Sequence, residues 1–245
     1  MNLFILDATF SFNGRENTLY PVVLRQGSET VLVDCGYAGF GPLLQQAMEK
    51  HGLSLSELTG VLITHHDIDH MGALAELKAH YPALRVYASE IEKPYIDGSQ
   101  KSLRLQQAED LFACLPDDQK PGALEFQQRL KRVQPVAVDE VIPSDADLPF
   151  MSGVRVVATP GHTPGHISLY IPELKTLVAA DALVYEDGVP DIANPQFTLD
   201  LPQAIASIEK LQQLELDRVV CFHGGEVKGD IKTLLSELLN RYNRV

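Results

Sequence analysis

Short apolar, β-branched runs broken by turn residues open the chain. LFILDATF, TLYPVVLRQG and ETVLVDCG predict strands, with Asn13-Gly14 and Gln26-Gly27-Ser28 as the turns between them. Pro42 to Lys50 has helical character and Gly52 is its stop. TGVLITH returns to a strand so uniformly apolar that both its faces should be buried. Met71 to His80 predicts a helix, because Met71, Leu74 and Leu77 fall on one stripe, and RVYAS is the next strand. Strand signals resume late in the chain with VAVDEVI, GVRVVATP, HISLYI and KTLVAAD. A helix over Leu201 to Leu214, the strand DRVVCF and a closing helix from about Lys232 complete the pattern.

Residues 91 to 132 break this rhythm. KSLRLQQAEDLFACL carries Ala108, Leu111, Phe112 and Leu115 at helical spacing, and ALEFQQRLKRV is a second helical piece. Pro116-Asp117-Asp118 and Pro121-Gly122 predict a loop between them. The segment reads as a helical insertion, serving as a lid, as an oligomer surface or as cover for the core. With no linker and no internal repeat, 1–245 is expected to form one domain of stacked sheets and helical layers.

Composition narrows the partners. The formal charge is −13, from 33 acidic and 20 basic residues, which repels nucleic acid. That charge is uneven: residues 91 to 132 are neutral, with Lys93, Lys101, Arg104, Lys120, Arg129, Lys131 and Arg132 balanced by as many acids. Three cysteines, Cys35, Cys114 and Cys221, lack any Cys-x-x-Cys spacing and fit a reducing compartment. No run reaches the roughly 18 apolar residues of a membrane span, and MNLFILDATF lacks the features of a signal peptide. A cytoplasmic protein acting on a small molecule is expected, with no membrane or nucleic-acid partner and a second copy of the chain as a candidate partner.

The chemistry concentrates where strands end. Thr64-His65-His66-Asp67-Ile68-Asp69-His70-Met71-Gly72 lies between a buried strand and a helix, and places five His/Asp residues within six positions. Side chains alternate across a strand end, so His65 and Asp67 can share one pocket while Asp69 and His70 open the helix. Each alone has a plainer reading, Asp69 as a helix cap for instance, but converging imidazoles and carboxylates are what a divalent cation requires. Three distant strands repeat the design. Thr159-Pro160-Gly161 presents His162, Asp181 ends TLVAA, and His223 follows DRVVCF with Gly224-Gly225 behind it. A carboxylate closing an apolar strand is costly unless a cation meets it.

In that order these pieces resemble the metallo-β-lactamase superfamily, whose signature is His-x-His-x-Asp-His, then a His, a bridging Asp and a final His. The resemblance runs from Asp34, in VLVDCG, to His223. It implies an α+β fold, a four-layer αββα sandwich with the site at one edge of two packed sheets. It also implies two divalent metal ions. One is held by His65, Asp67 and His162, the other by Asp69, His70 and His223, with Asp181 bridging them. Asp34 would support the site without binding metal, and His166 would be structural. The chain departs from the signature at Asp67, where the family has its second His; a rearranged first site using His66 is the alternative there. Zinc is the expected metal, with iron or manganese as the alternatives because of the oxygen of Asp67.

The implied function is hydrolysis of an ester, lactone, thioester or amide, as in lactonases and hydroxyacylglutathione hydrolases. A bridging hydroxide would attack the carbonyl, Asp69 would carry the proton to the leaving group, and Tyr185 is a candidate substrate contact. The alternative is an iron-dependent oxidoreductase of the persulfide dioxygenase kind.

Overall fold

The computed structural model describes residues 1–12, 14–186 and 188–242, so Asn13 of the first expected turn lies outside the described residues. In chain order, β1 (Asn2–Ile5), a hairpin of β2 (Ala8–Phe12) and β3 (Arg15–Leu19), β4 (Val22–Gln26) and β5 (Glu29–Val33) lead to α1 (Gly41–Glu49). Next come β6 (Gly60–Leu62), α2 (Ile68–Met71), α3 (Leu74–His80) and β7 (Arg85–Ser89). The helices α4 (Lys93–Ile96), α5 (Leu103–Phe112) and α6 (Lys120–Lys131) follow. The second half holds β8 (Glu140–Ile142), β9 (Arg155–Ala158), β10 (Ile167–Ile171), β11 (Thr176–Ala180) and a hairpin of β12 (Val184–Glu186) and β13 (Val189–Asp191). It closes with α7 (Leu201–Leu211), β14 (Arg218–Cys221), β15 (Gly225–Lys228) and α8 (Ile231–Tyr242).

Alternation along the strands sorts the apolar side chains into three layers. One sheet runs β1-β4-β5-β6-β7-β8 and the other β15-β14-β11-β10-β9. Leu32, Val61, Ile63 and Val86 face outward from the first sheet onto Leu44 and Met48 of α1 and Leu74 and Leu77 of α3. Their neighbours Val31, Val33 and Leu62 point the other way and meet Ile167, Leu169, Ile171, Val178 and Val220 between the sheets. On the far side Leu177, Ala179, Val219 and Cys221 pack on Ile208 and Leu211 of α7 and Leu235 and Leu238 of α8. Helix, sheet, sheet and helix make the expected αββα sandwich. The uniformly apolar strands are explained, since both faces of β6, β10, β11 and β14 are buried.

Several boundaries differ from expectation. LFILDATF and TLYPVVLRQG each divide into two strands, the second at Pro21, which has no N–H to offer a ladder. The expected Met71–His80 helix is interrupted, giving the short α2 ahead of α3. Pro121-Gly122 is not loop but the first turn of α6, where a missing N–H costs nothing. The expected apolar stripe of α5 is not its buried face: Leu111 is 49% exposed, and the buried residue of this helix is Arg104. The insertion therefore brings a cation inward instead of a hydrophobic stripe. Among the described residues no helix is long and apolar enough to cross a membrane.

Candidate metal centre

β5 and β6 run parallel in one sheet, and β11 and β14 run parallel in the other. The chain leaves their C-terminal ends at Asp34, Thr64-His65, Asp181 and Phe222-His223, all on one edge of the sandwich. Asp34 adopts a left-handed backbone (φ 59°), a strain of about 1–3 kcal/mol for a non-glycine residue that the surrounding bonds must hold. Its Oδ1 accepts the Thr64 N–H at 2.9 Å, and its Oδ2 accepts the Thr64 hydroxyl at 2.8 Å and His70 Nδ1 at 2.9 Å. The Thr64 oxygen in turn accepts from His65 Nδ1 at 3.1 Å. Both rings are thus held by Nδ1, with Nε2 aimed into the site, so Asp34 has the supporting place expected for it.

His162 and Asp181 arrive from the second sheet. Gly161 (φ 135°) lies so close to α7 that a Cβ there would stand 2.3 Å from the Ala204 nitrogen, and only glycine permits this turn. Before Asp181, the β11–β14 register shifts and Ala180 takes a left-handed φ of 48°. This bulge turns the Asp181 carboxylate out of the ladder. The Asp181 N–H donates to His166 Nε2 at 3.1 Å, and His166 Nδ1 bonds the Thr159 hydroxyl at 2.9 Å. Burial, with His162 nearby, lowers the His166 pKa to about 3, so it works as a neutral acceptor bracing Asp181, the structural role expected of it.

Three overlapping groups result, His65–Asp67–His162, His65–His70–Asp181 and Asp69–His70–His223, each with ligand atoms within 4.8 Å of one another. Asp181 Oδ1 lies 3.2 Å from His70 Nε2 and 3.6 Å from His223 Nε2, and its Oδ2 lies 3.5 Å from His162 Nε2. His223 Nε2 is 3.2 Å from Asp69 Oδ2. His65 Nε2, His70 Nε2 and Asp181 Oδ1 are buried without a hydrogen-bond partner among the described residues. Unsatisfied atoms of this kind, converging from the ends of β6 and β11 in two different sheets, fit divalent cations. The electrostatics agree. Burial would raise the Asp181 pKa, yet His70 and His223 hold it well below the usual carboxylate range. Burial would lower that of His70, but Asp181, Asp34 and Asp69 push it well above the usual imidazole range. The carboxylates therefore gather positive charge around themselves.

Asp67 has a partner that the motif does not contain. Arg104, from α5, reaches it with Nε 3.1 Å from Oδ1 and Nη2 2.7 Å from Oδ2, both residues being buried. Burial would raise the Asp67 pKa, and Arg104 with His162 and His65 depresses it well below the ordinary value. Next door, His66 turns away from the centre. Its Nδ1 bonds Glu92, its Nε2 accepts the Leu103 N–H at 3.3 Å, and its ring stacks on Tyr95. His66 thus ties α5 to the metal-motif loop and is not among the grouped ligands, as the alternation of side chains requires. Glu92, fully buried, also accepts from the Thr163 hydroxyl at 2.7 Å and the Gly165 N–H at 2.9 Å, joining the two histidine loops.

The Glu92 carboxyl would be raised by burial, but His66 and these hydrogen bonds bring it below its usual pKa. A depressed carboxyl contributes stability that is complete above its unfolded pKa and disappears as pH falls through the folded one. Glu92→Gln should therefore cost about 2 kcal/mol in urea unfolding at pH 7. The cost should shrink below about pH 4.3, where the unfolded wild-type carboxyl takes up protons. A difference independent of pH would show that the charge of Glu92 is idle.

The metallo-beta-lactamase superfamily model matches residues 20–223, most of the chain and every grouped ligand of the centre. The chain belongs to that superfamily. It is 30% identical over 231 residues to the probable metallo-hydrolase YflN of Bacillus subtilis (strain 168), covering 88% of this chain and 83% of that one. It is 26% identical to a hydroxyacylglutathione hydrolase of Synechococcus sp. (strain JA-2-3B'a(2-13)), covering 85% of this chain but 64% of that longer protein. A metallo-beta-lactamase family protein from Thermus thermophilus superposes with a TM-score of 0.76 at 22% identity, over 99% of this chain and 79% of its own. The protein is accordingly an enzyme of the superfamily's metallo-hydrolase kind, with His/Asp clusters suited to divalent metal.

In this superfamily member the centre forms the floor of a cavity of about 290 Å³. Asp67, Asp69, His162, Asp181 and His223 face it, and Phe126, Leu130, Val184 and Phe197 make its apolar walls. Tyr185, expected as a substrate contact, does not line it. Val184 and Glu186 on either side do, so strand alternation sends Tyr185 to the opposite face, against the core under α7 and α8. Gly224 packs so closely on its backbone that a Cβ would fall 1.8 Å from the Tyr185 carbonyl oxygen. The phenol that does face the cavity is Tyr37, just past the Asp34 turn. Arg104, Glu92 and Tyr37 were not singled out as functional from the sequence. Only Arg104 left a signal, since a carboxylate replacing an imidazole in a buried site calls for a compensating cation.

Proposed function

We propose that the protein is a hydrolase that holds two divalent cations, zinc foremost, and cleaves an ester, lactone, thioester or amide bond of a small molecule. The convergence of three ligand groups on one cavity floor carries this reading. His65, Asp67 and His162 would hold one ion and Asp69, His70 and His223 the other, with Asp181 placed between the groups. Ions bound there supply a hydrolytic nucleophile from water near neutral pH and polarise the scissile carbonyl. The rest belongs to the chain. The cavity is open to solvent on one side, and its apolar walls favour an acyl or alkyl portion. Asp69 is only partly buried, lies on the floor and is the carboxylate that passes a proton to the leaving group. Relatives named as hydroxyacylglutathione hydrolases support a thioester among the substrates.

The test is metal analysis of the purified protein with a panel of ester, lactone, thioester, amide, phosphodiester and β-lactam substrates, before and after chelation. About two ions per chain and hydrolysis that returns with metal are expected. Oxygen consumption on a persulfide with a single iron would replace this reading by the oxidoreductase one.

Tyr37 provides a sharper check. Burial, then Asp69, Asp181 and Asp67, raise its pKa, so the phenol stays protonated and can donate to a developing oxyanion. Tyr37→Phe should lower kcat about tenfold or more with metal content unchanged. Tyr185→Phe should leave kcat near wild type, and the reverse ranking would restore Tyr185 as the contact.

A further inference from the structure

The two halves of the centre are not equally free to take an ion. Around Asp69, His70 and His223, the described contacts are with other ligand residues or with supports such as Asp34. Around Asp67 a permanent cation already stands. Arg104 Nη2 is 2.7 Å from Oδ2, the oxygen nearest the imidazoles, with His162 Nε2 at 3.0 Å and His65 Nε2 at 3.7 Å. The same Nη2 is 3.4 Å from His162 Nε2. That ring nitrogen thus faces a carboxylate that wants a donor and a guanidinium that wants an acceptor, and one tautomer cannot serve both. The guanidinium touches two of the three residues grouped for the first ion, and it cannot shed its charge.

Arg104 is also held from behind. Its Nη1 donates to Gln107 Oε1 at 2.6 Å, and its Cζ lies 5.4 Å from the centre of the Phe197 ring. These contacts do not involve Asp67 and can keep the side chain near the cavity when Asp67 is taken by an ion. α5 itself is fastened at its start by the Leu103–His66 bond and by the Ser102 cap on the Leu105 N–H. The guanidinium is therefore a built part of the centre.

We propose that Arg104 is a latch on the first metal site: it neutralises Asp67 in place of an ion, so that the two ions bind unequally. Resting on the dinuclear reading above, this assigns the tight site to Asp69, His70, His223 and Asp181, and the weak one to His65, Asp67 and His162. A divalent charge entering beside a buried guanidinium meets like-charge repulsion at low effective dielectric, and it must win the carboxylate from a bidentate partner. Loading the weak site therefore loosens the hold of α5 on the metal-motif loop.

The experiment is a competition titration of metal-free protein with Zn²⁺ against a chromophoric chelator, for wild type, Arg104→Ala and Arg104→Lys. Wild type should fill in two separated steps. Arg104→Ala should strengthen the second step about tenfold or more and leave the first unchanged, with Arg104→Lys between them. Hydrogen exchange on wild type reads the same event without a mutation, and the second equivalent of Zn²⁺ should speed exchange of the amides of residues 103–112. A second step weakened by Arg104→Ala would mean that Arg104 props Asp67 for the ion. That result, unchanged affinities, or exchange indifferent to the second equivalent would each overturn the latch while leaving a two-ion hydrolase standing. Wild type that binds no second ion at any concentration would overturn the dinuclear reading and the latch together.

Discussion

Asp181→Ala should strip more metal from this enzyme than either Asp67→Ala or Asp69→Ala, and kcat/KM should fall by about a thousandfold or more. The geometry explains the ranking. Asp67 approaches only His65 and His162 among the grouped imidazoles, and Asp69 only His70 and His223. Asp181 reaches His70 and His223 with one oxygen and His162 with the other, so its loss is felt on both sides. The fold also strains the chain to place it, through the left-handed Ala180 and the bulge in β11, and braces its N–H on His166. Metal per chain, measured on folded protein by elemental analysis, should drop to about one ion or fewer for Asp181→Ala. For Asp69→Ala the group His65–Asp67–His162, which shares no residue with the group of Asp69, should still load. Equal losses in all three variants would mean that Asp181 does not serve both groups.

How much of this could be read before the structure depends on whether local sequence carries the information. The layered fold was legible because β5, β6, β10, β11 and β14 are apolar on both faces, and a strand buried on both sides implies a layer above and below it. Most of the grouped ligands were legible because they follow such a strand, β6, β11 or β14, where a polar residue has no structural excuse; His162 follows the edge strand β9 and was legible from the Pro160-Gly161 turn that presents it. What escaped depends on contacts distant in sequence. Arg104 meets Asp67 across 37 residues, and its helix carries an apolar stripe that pointed to the wrong face as the buried one. Glu92 joins loops 26 and 73 residues away through His66 and Gly165. Tyr185 was misplaced for a smaller reason. In a hairpin as short as β12–β13, one position decides which face a side chain takes, and spacing from Asp181 could not fix it to that precision.

Asp67→His, which restores the family's motif, should for that reason damage the protein when made alone. From the sequence the exchange simply adds nitrogen to the first site and favours Zn²⁺ over harder ions. In the structure it removes the carboxylate bonded to Arg104, whose side chain is 3% exposed. A guanidinium left facing imidazoles in a buried site should cost about 3–5 kcal/mol. Asp67→His should then unfold at lower urea and bind metal less well than wild type. Adding Arg104→Gln should recover both, because it removes the stranded charge while Gln107 and the cavity wall remain. Only this double variant should show the shift toward Zn²⁺ in competition with Mn²⁺. The coupling, read from a double-mutant cycle on unfolding free energy, should exceed about 2 kcal/mol. Additive effects of the two changes would show that Asp67 and Arg104 do not act as one unit. The charge of the centre would then be one unit more negative than in a site built with histidine, as the motif alone suggests.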